Sequence, residues 1–345
     1  MSGPELGQKS NNSQTNVTET ALKPPFFQRF KTHMKRWWWV YVIGFCVVVL
    51  VTVLPLVYVG VPNFANKYIN DYQYNYNHLS ITNPTPNSFH VHQKQNLNAG
   101  GFSGSGHLSA FNATIRASGS DTSFAVFPVQ EIGFGGDSDF TIDQDLNIAC
   151  VECLSQLAAD AVRKKEISVL VTGKPDLKVG GLPTAHLDVH KTMAMKGYNV
   201  EEYLDEPGSF NVTNVNLLKP ATSEGYNVNA TVAFRNPSPF IVELGSVSFN
   251  LSISGQSMGY VDIPNLYLQE GITETTVLGD IDIDVLVRKA LGNGSPTDDF
   301  GDVTIEISGN RVYYKGEEIP YFSAAMQAIK APVKVNLLDY ASEFL

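Results

Sequence analysis

The chain has 345 residues, 43% of them hydrophobic and 17% charged, with a formal net charge of −10. That length suggests two ordinary domains. The acid excess argues against nucleic acid, which needs basic patches, and the 3 cysteines exclude a disulfide-stapled scaffold.

Residues 1–36 form a basic tail whose first part, rich in Ser, Thr, Asn, Gln and Pro, is expected to be disordered. From Trp37 to Val61 the run WWWVYVIGFCVVVLVTVLPLVYVGV carries no charge. At ~1.5 Å rise per residue it is long enough to cross a bilayer with some tilt. It is too long, and starts too far into the chain, for a cleaved signal peptide, so a retained transmembrane helix is predicted over 37–61, kinked by Pro55. Arg29, Lys31, Lys35 and Arg36 precede the span, whereas Lys67 is the first basic residue after it. The positive-inside rule then puts the N-terminus in the cytosol and the remainder in a lumen or outside the cell. Trp37, Trp38 and Trp39 fit an aromatic belt at the headgroups, completing the expected membrane interface. On the far side Asn112, Asn211, Asn229, Asn250 and Asn293 each open Asn-x-Ser/Thr and are expected glycosylation acceptors, with Pro296 disfavouring the last. Asn11 and Asn16 match too, but on the cytosolic side.

After the span, VPNFANKYINDYQYNYN reads as a short helix opened by Pro62, leading into a strand in which Tyr72, Tyr74 and Tyr76 alternate. HLSIT, SFHVHQ, GHLSAFNATIRAS, TSFAVFPVQEIGF and EISVLVTGKPDLKV then read as half-buried strands with Gly, Pro or Asn punctuation. DLNIACVECLSQLAADAVRKK departs from that period. Its stripe of Leu146, Cys150, Cys153, Leu154, Leu157 and Ala161 predicts one helix of about four turns. The acidic segment NVEEYLDEPGS, Asn199 to Ser209, reads as a domain boundary. Beyond it YNVNATVAFRNPSP, IVELGSVSFNLSISGQSMGYVDIPNLYL and TETTVLGDIDIDV predict strands, with a short helix over Val285 to Leu291. DVTIEISGNRVYYKGEEIP predicts a hairpin with Gly309 and Gly316 at turns, and YFSAAMQAIK a final helix.

Two landmarks recur in order. Asn83-Pro84-Thr85-Pro86 is echoed by Asn236-Pro237-Ser238-Pro239, and the Gly173, Gly180, Pro183 series by Gly309, Gly316, Pro320. The repetition predicts a tandem duplication. The expected architecture is mainly β: one transmembrane helix, then two antiparallel β-sandwich domains over 62–208 and 209–345, each with one or two short helices.

A strand ending in Asn-Pro-Ser/Thr-Pro, followed by VELGSVSFNLSISGQSMGYVDIPNLYLQEG with Gly255 and Gly259 spaced by three residues and Leu266, Leu268 and Gly271 after them, resembles the late-embryogenesis-abundant type-two (water-stress hypersensitive) domain. The likeness spans roughly Phe210 to Val335 and is looser in the first half. The whole arrangement is similar to a fungal family of single-pass membrane proteins of unknown function, whose characterised relatives lie at the vacuolar membrane with lumenal domains. The resemblance implies β-sandwiches, no known catalysis and a role in binding or moving lipid.

His78, His90, His92 and His107 fall close together, with His90 and His92 on one strand face, but no acid or thiol stands at motif spacing to them, so no metal is expected. Cys150-Val-Glu-Cys153 admits core thiols, a local disulfide or a redox pair. Core thiols are favoured, because i and i+3 in a regular helix hold Cβ atoms ~5–6 Å apart. Asp137, Asp139, Asp143 and Asp145 lack the glycine and terminal Glu of a calcium loop, and Asp280, Asp282 and Asp284 alternate with isoleucines like a strand's polar face. GGFSGSGH reads as a flexible turn. No nucleophile–base set, paired carboxylate or cofactor fingerprint stands out, so neither an enzyme nor a cofactor is expected.

The expected function is a membrane-anchored, non-enzymatic binding protein that holds a lipid ligand or a protein partner between or along its sheets. The alternative is a vacuolar-membrane signalling or scaffold protein coupling lumenal domains to the cytosolic tail.

Overall fold

The computed structural model describes residues 42–53, 55–71, 79–98, 106–134, 137–206, 208–236, 238, 240–290 and 302–336. The basic tail, Arg29, Lys31, Lys35, Arg36, the three tryptophans, the Tyr72 to Tyr76 strand, His78 and Asn293 lie outside them. The chain divides into two compact units, Met1–Leu56 and Val57–Leu345.

Among the described residues one helix, Val42–Lys67, is long and apolar enough to cross a membrane. It ends farther along the chain than the uncharged run does. Pro55 lacks an N–H and crowds the preceding turn, and a π-helical stretch, Leu56–Gly60, follows it directly.

The second unit opens with α1 (Val61–Asp71). Then come β1 (Leu79–Thr85), β2 (Ser88–Asn98), β3 (Gly106–Leu108), β4 (Phe111–Ala117), β5 (Ser123–Val129), β6 (Ile132–Phe134) and β7 (Asp137–Asn147). Helix α2 (Val151–Arg163) leads to β8 (Glu166–Gly173), β9 (Asp176–Val179), β10 (Ala185–His186) and β11 (Val189–Lys196). After α3 (Val200–Asp205) follow β12 (Phe210–Leu217), β13 (Val228–Asn236), β14 (Phe240–Ile253), β15 (Gln256–Leu268) and β16 (Gly271–Ile281). The last elements are α4 (Ile283–Ala290), β17 (Asp302–Tyr314), β18 (Glu317–Glu318), α5 (Pro320–Gln327) and β19 (Lys330–Asn336). The protein is mainly β.

One large sheet runs β12-β13-β16-β15-β14-β1-β2-β7, and β17 joins it on β14, carrying β18 and β19. A second sheet runs β11-β8-β4-β5 and a third β10-β9-β3-β6. The strand pairs are antiparallel apart from β1 with β14, which is parallel and matches Leu79 to Phe240 and Ile81 to Val242. Past that contact the same side of β14 turns to β17, from Ser246 to Ser252. The large sheet therefore forks at β14.

Alternation along the strands builds two sandwich cores. Phe89, Val91 and Leu146 of the large sheet face Ala113, Phe124, Phe127 and Val169 of the second, and Leu157 of α2 and Tyr321 of α5 close that core. The other gathers Val232, Val242, Leu244, Val247, Ile263, Val277 and Val312, again with a residue from each helix, Val162 and Met326. Helices α2 and α5 pack on each other, so they contribute to both cores.

Several expectations change. Leu146 belongs to β7, so the helical stripe starts only at α2, with Cys150 as its N-cap in extended backbone. Gly309 lies inside unbroken β17 rather than in a turn: a Cβ there would collide with the Met326 carbonyl, so the glycine permits close approach of backbone. Lys315 and Gly316 do form the turn. The segment YFSAAMQAIK is the last helix among the described residues, as expected, and an unpredicted strand, β19, follows it and pairs with β17. Asp280 is in β16, but Asp282 Oδ1 accepts from the Val285 N–H at the start of α4, and Asp284 sits in its first turn. The acidic segment after Asn199 is helical in part, as α3.

The two Asn-Pro motifs differ in setting. Asn83 has a positive φ of 47° and leads into the paired hairpin of β1 and β2. Asn236 is buried. Its Nδ2 donates to the Phe240 and Gln269 carbonyls and its Oδ1 accepts from the Ser238 N–H. It connects β13 to β14, strands separated by β16 and β15.

Candidate functional site

The outer face of the second sheet holds a hollow of about 670 Å³ lined by Asn112, Thr114, Arg116, Thr172, Lys174 and His190, with Asp121, Ser123, Asp188 and Phe111 around them. Register places these side chains. On β4 the inward positions Phe111, Ala113, Ile115 and Ala117 join the core, leaving Asn112, Thr114 and Arg116 outward. Thr114 pairs with Thr172 across β4 and β8, and Thr172 with His190 across β8 and β11, which makes one polar row over three strands. Gly173 lets the Phe111 ring lie against the end of β8, where a Cβ would collide with it.

Charge in the hollow is mixed. His190 Nε2 stands 3.2 Å from Asp188 Oδ1. Arg116 and Lys174 have no ion-pair partner among the described residues. Helix α1 braces this edge of the sheet. Asn66 Oδ1 accepts from the Asp188 N–H at 2.9 Å and Asn70 Oδ1 from the His190 N–H at 3.0 Å. Four residues of helix rise ~6 Å and two residues of strand ~6.7 Å, so asparagines at i and i+4 can meet alternate edge amides of an extended chain. A smaller hollow of about 370 Å³ at Thr231, Pro264, Asn265, Glu274, Thr275 and Thr276 contains no cation.

A second cluster lies on the exposed face of β2 and β7. His90 Nδ1 is 2.9 Å from Asp145 Oδ1, its Nε2 is 2.8 Å from Asp143 Oδ1, and His92 Nδ1 is 3.7 Å from Asp143 Oδ2. The hydrogen bond to Asp145 raises the His90 pKa above that of free imidazole, desolvation opposes it, and Asp143 adds to the rise. Sequence spacing hid these acids, because they reach His90 only through antiparallel register, His90 to Asp145 and His92 to Asp143. His107 is on β3 in the third sheet. Among the described residues no group of three or more His, Cys, Asp or Glu is arranged to hold a metal. Elsewhere Asp262 accepts from Tyr226 at 2.8 Å and Ser248 at 2.5 Å, and that carboxylate pushes the Tyr226 hydroxyl up to about 12.

Cys150 and Cys153 form a disulfide. The expectation of core thiols assumed both residues inside a regular helix. Cys150 stands one residue before α2, where extended backbone (φ −137°, ψ 95°) frees its Cβ from helical spacing. Cys46 is an exposed free thiol. Among the sequons, Asn112, Asn211 and Asn250 are exposed, while Asn229 is half-buried on β13 between β12 and β16. Of the expected site residues among those described, only Asn112 belongs to the larger hollow. Its remaining lining went unrecognised, although alternate polar positions in FNATIRA and VTGK carried a signal.

The fold and the hollow define a mainly β unit with a polar hollow on one sheet, following an apolar helix. Residues 122–251 match a family described as a protein of unknown function (DUF3712). That stretch contains Thr172, Lys174 and His190 of the hollow, while Asn112, Thr114 and Arg116 precede it. No curated protein matches the chain. Solved structures similar to it include the periplasmic chaperone SfaE, at 10% identity and a TM-score of 0.18 over 74% of this chain and 94% of that one. The calcium binding domain CBD12 of CALX1.1 is similar at 10% identity and a TM-score of 0.20, over 76% of this chain and 98% of that one. At such TM-scores these likenesses carry no argument about calcium or chaperoning.

Proposed function

We propose that the protein is a membrane-anchored, non-enzymatic binding protein that uses the hollow on the β11-β8-β4-β5 sheet to hold a lipid by its polar end. The observation that carries this reading is the pair Arg116 and Lys174, two cations without ion-pair partners among the described residues, at one concave face beside hydroxyls. The space between the sheets is taken by Phe89, Val91, Phe124, Phe127 and Leu146, which favours a ligand seated along a sheet over one between sheets. The apolar helix Val42–Lys67 supports anchoring. The basic residues before it support a cytosolic tail with the β unit on the exoplasmic side, and the resemblance to the fungal family favours the vacuolar membrane.

The test is mass spectrometry of lipids carried by the full-length protein purified in a mild detergent. A reproducible lipid in about one-to-one ratio, lost when Arg116 and Lys174 are both changed to Gln, is the expected result. Protein that comes out empty in repeated preparations, and gains nothing when offered lipid vesicles, overturns the proposal.

A further inference from the structure

We propose that the hollow selects a phosphate-bearing anion, a phosphomonoester or phosphodiester group, an inference that rests on reading the hollow as a ligand seat. Its geometry is that of a cradle. Thr114, Thr172 and His190 lie in one row across β4, β8 and β11, strands spaced ~4.8 Å apart. Arg116 is two positions beyond Thr114 in one direction, and Lys174 two positions beyond Thr172 in the other. At ~3.3 Å per residue their Cα atoms stand roughly 13 Å apart along the strand direction. Two long cationic side chains can thus converge from opposite ends on a centre floored by two threonine hydroxyls, with Asn112 and Ser123 at its sides.

These groups match phosphate chemistry. Guanidinium forks bind phosphate oxygens in pairs, lysine adds a point charge, and hydroxyls and amides donate single bonds. In formal charge Arg116 and Lys174 are balanced by Asp121 and Asp188, so an anion is selected by the placing of the donors rather than by net charge. His190 Nε2 stands 3.2 Å from Asp188, and Asp188 and Asp121 are the two carboxylates that oppose an anion there. The chain as a whole carries a formal −10, so its long-range field does not attract anions and any such affinity must come from these local groups. A neutral sugar or a bare acyl chain offers no charged oxygen to Arg116 and Lys174.

Binding is measured on the full-length protein in neutral detergent with inorganic phosphate and glycerol phosphate as soluble probes. Flotation uses phosphatidylcholine vesicles with and without phosphatidic acid. Because Asn112 opens a sequon at the hollow, each measurement is made before and after enzymatic removal of N-glycans. The expected result is saturable phosphate binding in at least one of the two forms. It weakens about tenfold or more in Arg116→Gln/Lys174→Gln and strengthens a few-fold in Asp121→Asn, as charge-assisted bonds are lost or a repulsion removed. Vesicle binding that glycerol phosphate competes away assigns the group to a lipid headgroup. Soluble binding without flotation assigns it to a free phosphate compound. Failure of every phosphate probe in both forms, or affinity unchanged in the double variant, overturns the inference. If a phosphate-free lipid co-purifies in that case, the binding function stands and only the phosphate assignment falls.

Discussion

The backbone N–H of Asn83 donates to the Glu243 carboxylate at 2.8 Å, linking residues 160 apart in sequence. The other Glu243 oxygen accepts from the Tyr314 hydroxyl at 3.0 Å. One side chain therefore ties β1, β14 and β17 together where the large sheet forks. Asn83 donates from left-handed backbone, and no ladder partner replaces Glu243. Changing Glu243 to Ala should cost ~1–3 kcal/mol, because the amide and the hydroxyl both lose a charged acceptor. Chemical denaturation of the purified protein checks it: Glu243→Gln should recover part of the loss, and an Ala variant as stable as wild type would refute the clamp.

How much of this was legible beforehand follows from what period-two patterns carry. Alternation in SFHVHQ, FNATIRA and VNATVAF located strands and their inward faces, because side-chain direction is a local property. Register is not local. The parallel match of Leu79 with Phe240, the meeting of His90 with Asp145 and the row from Thr114 to His190 each depend on which strands become neighbours. β19 is hard to read in the sequence because KAPVKVN is short and carries Pro332, yet its alternate residues Ala331 and Val333 are buried. The disulfide is hidden because the helical stripe, read from Leu146, includes Cys150, whereas the helix begins only at Val151. The hollow was obscured further by the ordinary look of Thr, Arg and Lys on any exposed strand.

Core sharing between the first and second halves has a measurable consequence. Ile319 and Tyr321 complete the core built on Phe89 and Phe124, whereas Val162 enters the one built on Val247 and Val312. The Tyr321 hydroxyl also donates to the carbonyls of Thr85 and Ser88, at 3.1 Å each. Cutting the chain between residues 208 and 209 should leave each piece with an open apolar face, so neither should give a cooperative melt alone. Mixing the pieces should restore one. Two independent melts from the separate pieces would contradict the shared cores.

The disulfide predicts a labelling pattern. Of the 3 cysteines, protein denatured without reductant should react with a thiol reagent only at Cys46, and at all three sites after reduction. Full labelling without reductant, in protein taken from cells under trapping conditions, would contradict the disulfide and also weigh against an exoplasmic β unit.

Gly309 is the glycine whose replacement should hurt most plainly. A Cβ there meets the Met326 carbonyl, which is backbone at the end of α5 and cannot rotate aside. Gly309→Ala should destabilise by ~1–3 kcal/mol through forced separation of β17 from α5. Gly133→Ala, where a Cβ meets nothing within 4 Å, serves as the control in the same thermal melts. Equal behaviour of the two variants would remove the close-approach argument.

The histidine on β2 links stability to pH. Asp145 and Asp143 of β7 hold the His90 pKa above its unfolded value near 6.5, with His92 as the other titratable group beside them and Thr82 of β1 opposite. A group raised on folding stabilises the protein fully below its unfolded pKa, and that contribution fades as pH rises through the folded one. Stability should therefore decline as pH rises from about 6.5 through the raised His90 pKa, by an amount under ~1 kcal/mol, as expected for partly exposed pairs. His90→Gln should flatten that decline and leave the acid limb, set by other carboxylates, in place. Asp145→Asn should shift the decline to lower pH, because it removes the largest cause of the raised pKa. Denaturation midpoints collected across this range decide the matter, and identical slopes in wild type and His90→Gln would show that the cluster does not couple to folding.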